Sequence, residues 1–163
     1  MNRNPILYIL CGIPGSGKST WANNFMNEHY TEKICYVSRD EIRFSILKDD
    51  EDYFAHEDEV FRKFAETLYN TLIDGCDVIA DATHLTRYSR RKLTNAIDAL
   101  GTVNYNIIYI YFNISLDVCL ERNAQRTGRA FVAEDTVRSM FKNMREPQAN
   151  EDRRCIQIWE VSE

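Results

Sequence analysis

The sequence predicts an α/β protein: a parallel five-stranded sheet with helices on both faces, in a single domain over residues 1–163. Three observations predict it. Runs rich in β-branched and aromatic residues occur at 6–11, 33–38, 76–80, 105–112 and 155–161. The stretches between them carry helical signals and no hairpin signal, so successive strands need crossover connections. At 163 residues, 44% apolar and 28% charged, the chain suits one full core and is too short for two ordinary domains.

The first run leads into Gly12-Ile13-Pro14-Gly15-Ser16-Gly17-Lys18-Ser19-Thr20, which matches G-x-x-x-x-G-K-[ST]. A helix over Trp21 to Met26 completes the strand, glycine loop and helix that this motif requires, and makes the fold P-loop NTPase-type. Gly12, Gly15 and Gly17 let successive N–H groups surround a polyphosphate, with Ser16 in the same cradle and the helix dipole behind it. Lys18 is the point charge for the β- and γ-phosphates, the Ser19 hydroxyl a ligand for Mg²⁺, and Thr20 a helper at the α-phosphate.

The second run ends in Ser38-Arg39-Asp40-Glu41-Ile42-Arg43, at a strand end where function gathers in open α/β sheets. Asp40 reads either as a functional acid or as a plain helix cap, a place Ser38 can also take. Residues 55–74 form the longest helix candidate, with Val60, Phe61, Phe64, Leu68 and Leu72 on its core face and Gly75 at its end. The third run terminates at Asp81-Ala82-Thr83-His84. Asp81 is a candidate Mg²⁺ acid and, with Thr83, faces the substrate; His84 stays open between a functional group and a solvated turn.

A basic helix follows over 86–100, closed by Gly101, then a buried fourth strand. Ser115 caps a helix that runs on into Arg122-Asn123-Ala124-Gln125-Arg126-Thr127-Gly128-Arg129. The four-residue spacing puts Arg122 and Arg126 on one helix face, either as a solvated basic face or as part of a lid over about 122–135 that closes guanidinium groups over a phosphoryl. A helix over 133–144 follows, with Val137, Met140, Phe141 and Met144 at spacings of three, one and three. Pro147 stops it, and the last run is the closing strand.

The net charge of −5 counts against a non-specific nucleic-acid binder, although charge is unevenly placed. Acids crowd into 49–52 and 57–59, while Arg87, Arg90, Arg91 and Lys92, then Arg122, Arg126 and Arg129, form basic clusters. Five cysteines without a C-x-x-C pair argue for reduced thiols rather than zinc or a disulfide framework. Apolar runs are far shorter than a bilayer span, so no membrane association and a cytoplasmic location are expected.

Beyond these readings, the chain resembles the kinase domain of phage-type polynucleotide 5′-kinases and related small P-loop kinases. The residues that carry the resemblance are 11–21, 38–43, Asp81 to Leu85, 122–126 and 137–142. It implies ATP and Mg²⁺ as cofactors, and a 5′-hydroxyl end of DNA or RNA as the substrate. It further implies Asp40 as general base, Arg43 as contact to the acceptor's phosphate, and Arg126 with Arg122 at the nucleotide, Arg126 stabilising the transferring phosphoryl. Asp40, Lys18 and Arg126 are thus the expected catalytic residues. The alternatives are a small-metabolite or zeta-toxin-like kinase, and a non-catalytic nucleotide-binding switch module.

Overall fold

The computed structural model describes residues 3–163. Five strands, β1 Ile6–Cys11, β2 Ile34–Ser38, β3 Asp77–Asp81, β4 Asn106–Asn113 and β5 Cys155–Ser162, form one parallel sheet in the order β2-β3-β1-β4-β5. Six helices connect them: α1 Lys18–Glu28, α2 Arg39–Ile46, α3 Glu57–Ile73, α4 Arg87–Leu100, α5 Leu116–Ala124 and α6 Glu134–Asn143.

β1 lies at the centre and is apolar on both faces, because a strand's side chains alternate and both faces here are covered. Leu7, Ile9 and Cys11 join Phe64, Leu68 and Leu72 of α3 and Leu93 and Ile97 of α4 in one core layer. Tyr8 and Leu10 point the other way, to Ala22 and Phe25 of α1, Cys119 of α5 and Val137 of α6. Phe141 is largely outside that layer, at 37% exposure, so the α6 core face is narrower than its sequence spacing suggests.

Parallel pairing brings all strand C-termini to one edge. Ser38 stands in register with Asp81, so the ends of β2 and β3 lie level beside the loop that leaves β1. Helix starts are fixed locally: Ser38 accepts from Glu41 N at 3.2 Å, Thr86 from Ser89 N at 3.1 Å and Ser115 from Val118 N at 3.4 Å.

Two expectations need correction. Arg90 is not part of a surface basic cluster; it is 1% exposed and pairs with Glu151 through Nε at 2.8 Å and Nη2 at 2.7 Å. The α5 helix ends at Ala124 with Gln125 as its C-cap, so Arg122 and Arg126 do not share a helix face. The physical reason is Asn123, whose buried amide turns inward to bond Val132 instead of lying along a continuing helix. Among the described residues, no helix is long and apolar enough to cross a membrane.

Candidate active site

The loop between β1 and α1 is held in a shape few residues can take. Gly17 adopts φ 93° and Gly15 φ 83°, and a Cβ on Gly15 would stand 2.4 Å from the Cys119 carbonyl of α5. Gly12 N donates to the Thr83 carbonyl at 3.0 Å, tying the loop to the segment after β3. Thr83 therefore supports the loop through its main chain. His84 adds a second tie, with Nδ1 2.7 Å from the Leu10 carbonyl and its ring stacked on Phe64. It is buried, not a solvated turn residue. Burial pushes its pKa down to about 4, so the neutral ring donates through Nδ1–H.

Lys18 folds back over the loop, its amine 3.0 Å from the carbonyls of both Gly12 and Ile13. Desolvation lowers its pKa; Asp81 opposes that shift, Arg126 adds to it and Asp40 opposes it. These three charged groups, from two strand ends and the α5–α6 connection, thus converge on one amine. Among the described residues, Ser16 Oγ is buried without a hydrogen-bond partner, an orphaned donor within the phosphate-binding loop. Together they fit a polyphosphate.

Ser19 Oγ donates to Asp81 Oδ2 at 3.1 Å, and the Tyr36 phenol donates to the same oxygen. This cluster of hard oxygens beside the phosphate loop fits Mg²⁺ held by few protein ligands. Thr20 is exposed on the next position of α1.

Asp40 follows β2 in the first turn of α2. Because Ser38 caps that helix, the Asp40 carboxylate is released, and its side chain is 57% exposed. Oδ1 accepts from Tyr53 OH at 2.6 Å and from Arg43 Nη1, whereas among the described residues Oδ2 accepts nothing.

Arg43 is turned inward. Nε and Nη2 bond Glu57 at 2.7 and 3.0 Å, and Nη1 serves Asp40 and Tyr53. Of the guanidinium's five N–H groups, these contacts leave one for an acceptor. Burial works against charge at Glu57, but Arg43 and Arg39 outweigh it and hold its pKa below the ordinary carboxylate range.

On the opposite side, Arg122 Nη1 reaches the Gly15 carbonyl at 3.4 Å. Asn123 clamps Val132 from both ends of its amide, at 2.6 and 3.1 Å, which closes the exposed stretch 124–131 into a loop. Arg126 lies on this loop. Arg129 carries it to the α2–α3 connection, donating to the Lys48 carbonyl at 2.9 Å.

Sequence reasoning missed Tyr36, Tyr53, Glu57 and the Asn123 clamp. Tyr53 and Glu57 fall in or beside an acidic run without periodicity, and only their proximity to Asp40 and Arg43 gives them meaning. Tyr36 lies on a strand face, and only the pairing of β2 with β3 brings its phenol to Asp81.

A parallel sheet, a phosphate loop with its lysine, and an acid beside the loop serine define the P-loop phosphotransfer class. The family model described as "AAA domain" matches residues 7–148, and the chain belongs to that family as a P-loop kinase domain. A candidate bifunctional polynucleotide kinase/RNA ligase of Autographa californica nuclear polyhedrosis virus is 25% identical over 154 residues, covering 83% of this chain and 20% of the viral protein. L-seryl-tRNA(Sec) kinase of Methanococcus maripaludis is 27% identical over 146 residues, covering 87% of this chain and 53% of that enzyme. The chain thus spans a fifth to about half of these relatives. Among solved structures, one from the Pnkp1/Rnl/Hen1 RNA repair complex superposes with a TM-score of 0.73 at 23% identity, over 88% of this chain and 45% of that one, a likeness of fold.

Proposed function

We propose that this domain transfers the γ-phosphoryl group of ATP to the 5′-hydroxyl end of DNA or RNA. The observation that carries the reading is Asp40, whose free Oδ2 stands at the strand-end edge while its other oxygen is fixed by Tyr53 and Arg43. A hydroxyl is a weak nucleophile without such a base. Asp40 Oδ2 takes the hydroxyl proton as the acceptor oxygen forms its bond to phosphorus and the bridging bond to the β-phosphate breaks. Lys18 and the loop N–H groups balance charge on the phosphates. Arg126 serves the equatorial oxygens, with Arg122 behind it and the 124–131 loop acting as the lid. Ser19 and Asp81 would hold Mg²⁺, which when bound would offset charge on the phosphates. The acceptor assignment is supported by the relative named for polynucleotide kinase and RNA ligase; the seryl-tRNA kinase among the relatives supports a hydroxyl acceptor only.

One observation favours a second reading, a kinase of small metabolites. The acids at 49–52 and 57–59 flank the Asp40 side of the site, and such a field disfavours a long polyanion there. Transfer of labelled phosphate from ATP to a 5′-hydroxyl oligonucleotide, a 3′-nucleotide, a nucleoside and pooled sugars, with and without Mg²⁺, separates the two. Label on the oligonucleotide and 3′-nucleotide is the expected result. Label on sugars alone moves the acceptor to the second reading.

A further inference from the structure

A groove of about 1080 Å³ runs beside α4, away from the phosphate loop. One wall is a single face of α4, with Arg87, Arg91 and Asn95 at helical spacing; the facing wall includes Asn150 and Arg153, and Asn104 lies toward its far end. Because α4 connects the end of β3 to the start of β4, it runs from the catalytic edge of the sheet to the opposite edge. From Arg87 to Asp98 the helix is ~16 Å long at about 1.5 Å per residue.

The charges of this groove do not cancel. Its acids are already neutralised: Glu151 by buried Arg90, and Asp98 and Asp152 together by Arg154, at 2.7 and 2.8 Å, and by Arg91, 3.9 Å from Asp152. Arg91 also bonds the Glu151 carbonyl at 2.6 Å, so its charge is committed to that wall. Among the described residues, Arg87 and Arg153 make no ion pair, and both are exposed. Next to Arg87 on α4, about one helical turn before Arg91, Tyr88 is 77% exposed. Arginines on the wall, asparagine amides between them and an exposed aromatic beside them form a surface for sugar-phosphate and bases together.

We propose that this groove is the track for a single-stranded segment of the nucleic-acid acceptor, entered at Arg87 and followed toward Arg153. This rests on the nucleic-acid reading of the active site and extends it to residues that take no part in phosphoryl transfer. Arg87 and Arg153 contact phosphates, and Tyr88 stacks a base.

The test measures binding separately from transfer. Anisotropy of a labelled 5′-hydroxyl single-stranded octanucleotide is followed against salt for the wild type, Arg87→Glu/Arg153→Glu, the milder Arg87→Gln/Arg153→Gln, and Tyr88→Ala, with thermal unfolding as the folding control. The expected result is affinity weakened ~10-fold or more by the reversal, less by the neutral pair, and a log–log salt slope reduced by about 1.4, from ~0.7 per lost phosphate contact on a single strand. Phosphorylation of a 3′-mononucleotide stays at the wild-type level. Unchanged oligonucleotide affinity and slope in the folded variants overturn the proposal, as does equal competition by poly-glutamate, which would make the groove a site for acidic polypeptide. Absence of transfer to any nucleic acid, with binding still lost in the variants, removes the kinase reading and leaves the track standing.

Discussion

The Tyr53 phenol donates to Oδ1 of Asp40 at 2.6 Å, across thirteen residues of sequence, and so assigns the two carboxylate oxygens different tasks. Burial, then the Asp40 carboxylate, push the Tyr53 pKa up, which keeps the phenol a donor at any working pH. Oδ2 is left to receive a proton. On the proposed reading of Asp40 as the base, Tyr53 and Arg43 are its positioning residues.

Asp40→Asn keeps the shape and removes the proton acceptor. The expected outcome is loss of ~10²–10⁴ in kcat with ATP binding retained, read by single-turnover transfer beside calorimetry. Tyr53→Phe removes one hydrogen bond to a charged group, about 1.5 kcal/mol, so kcat falls roughly tenfold. KM for the acceptor stays unchanged. A KM effect without a kcat effect would assign Tyr53 to acceptor binding instead of base positioning.

Arg126 has no side-chain hydrogen bond among the described residues, in contrast to inward-turned Arg43 and to Arg122 on the loop carbonyl. Its charge is available to the transferring group. Arg126→Ala is expected to lower kcat by ~10²–10³ with little change in ATP affinity, whereas Arg122→Ala weakens nucleotide binding more than turnover. Equal loss of ATP affinity in both variants would place Arg126 at the bound ground state.

The ion pair of Arg90 and Glu151 is 1% and 2% exposed in its side chains. Glu151→Gln leaves a buried guanidinium short of its counter-charge and is expected to destabilise by about 3–5 kcal/mol, a fall in Tm of about 10 °C on this chain length. Replacing both partners, Arg90→Met with Glu151→Leu, should recover much of that loss. A thermal melt of the three proteins decides it, and a double variant no better than the single one would mean that Arg90's bonds to the His84 and Arg145 carbonyls dominate.

The sheet, the phosphate loop and the acids at the strand ends were legible because each is written locally. Apolar runs fix the strands, a fixed glycine spacing fixes the loop, and Ser38 and Asp40 lie two residues apart. What stayed hidden depends on distant pairs. Whether Asp40 or Ser38 caps α2 turns on one hydrogen bond to Glu41, and the commitment of Arg43 to Glu57 turns on how α2 and α3 pack. The basic run at 87–92 looked uniform in sequence. Only the fold separates buried Arg90 from exposed Arg87 and Arg91.

His84 offers a pH test of the strut beneath the loop. Its folded-state pKa of about 4 lies below the ordinary histidine value of 6.5, chiefly through burial. Between these values the unfolded chain binds a proton that the folded protein refuses, so stability is complete above about pH 6.5 and falls as the pH drops toward 4. The full difference is about 3 kcal/mol. His84→Asn suits the left-handed φ of 43° and keeps an amide donor for the Leu10 carbonyl, but carries no titrating group. Denaturant midpoints at pH 7.5, 6, 5 and 4.5 should show the variant losing less stability than the wild type across that interval, the gap widening as the pH falls. Parallel curves for the two proteins would mean that the imidazole is protonated with little cost in the fold, and that its bond to Leu10 carries charge.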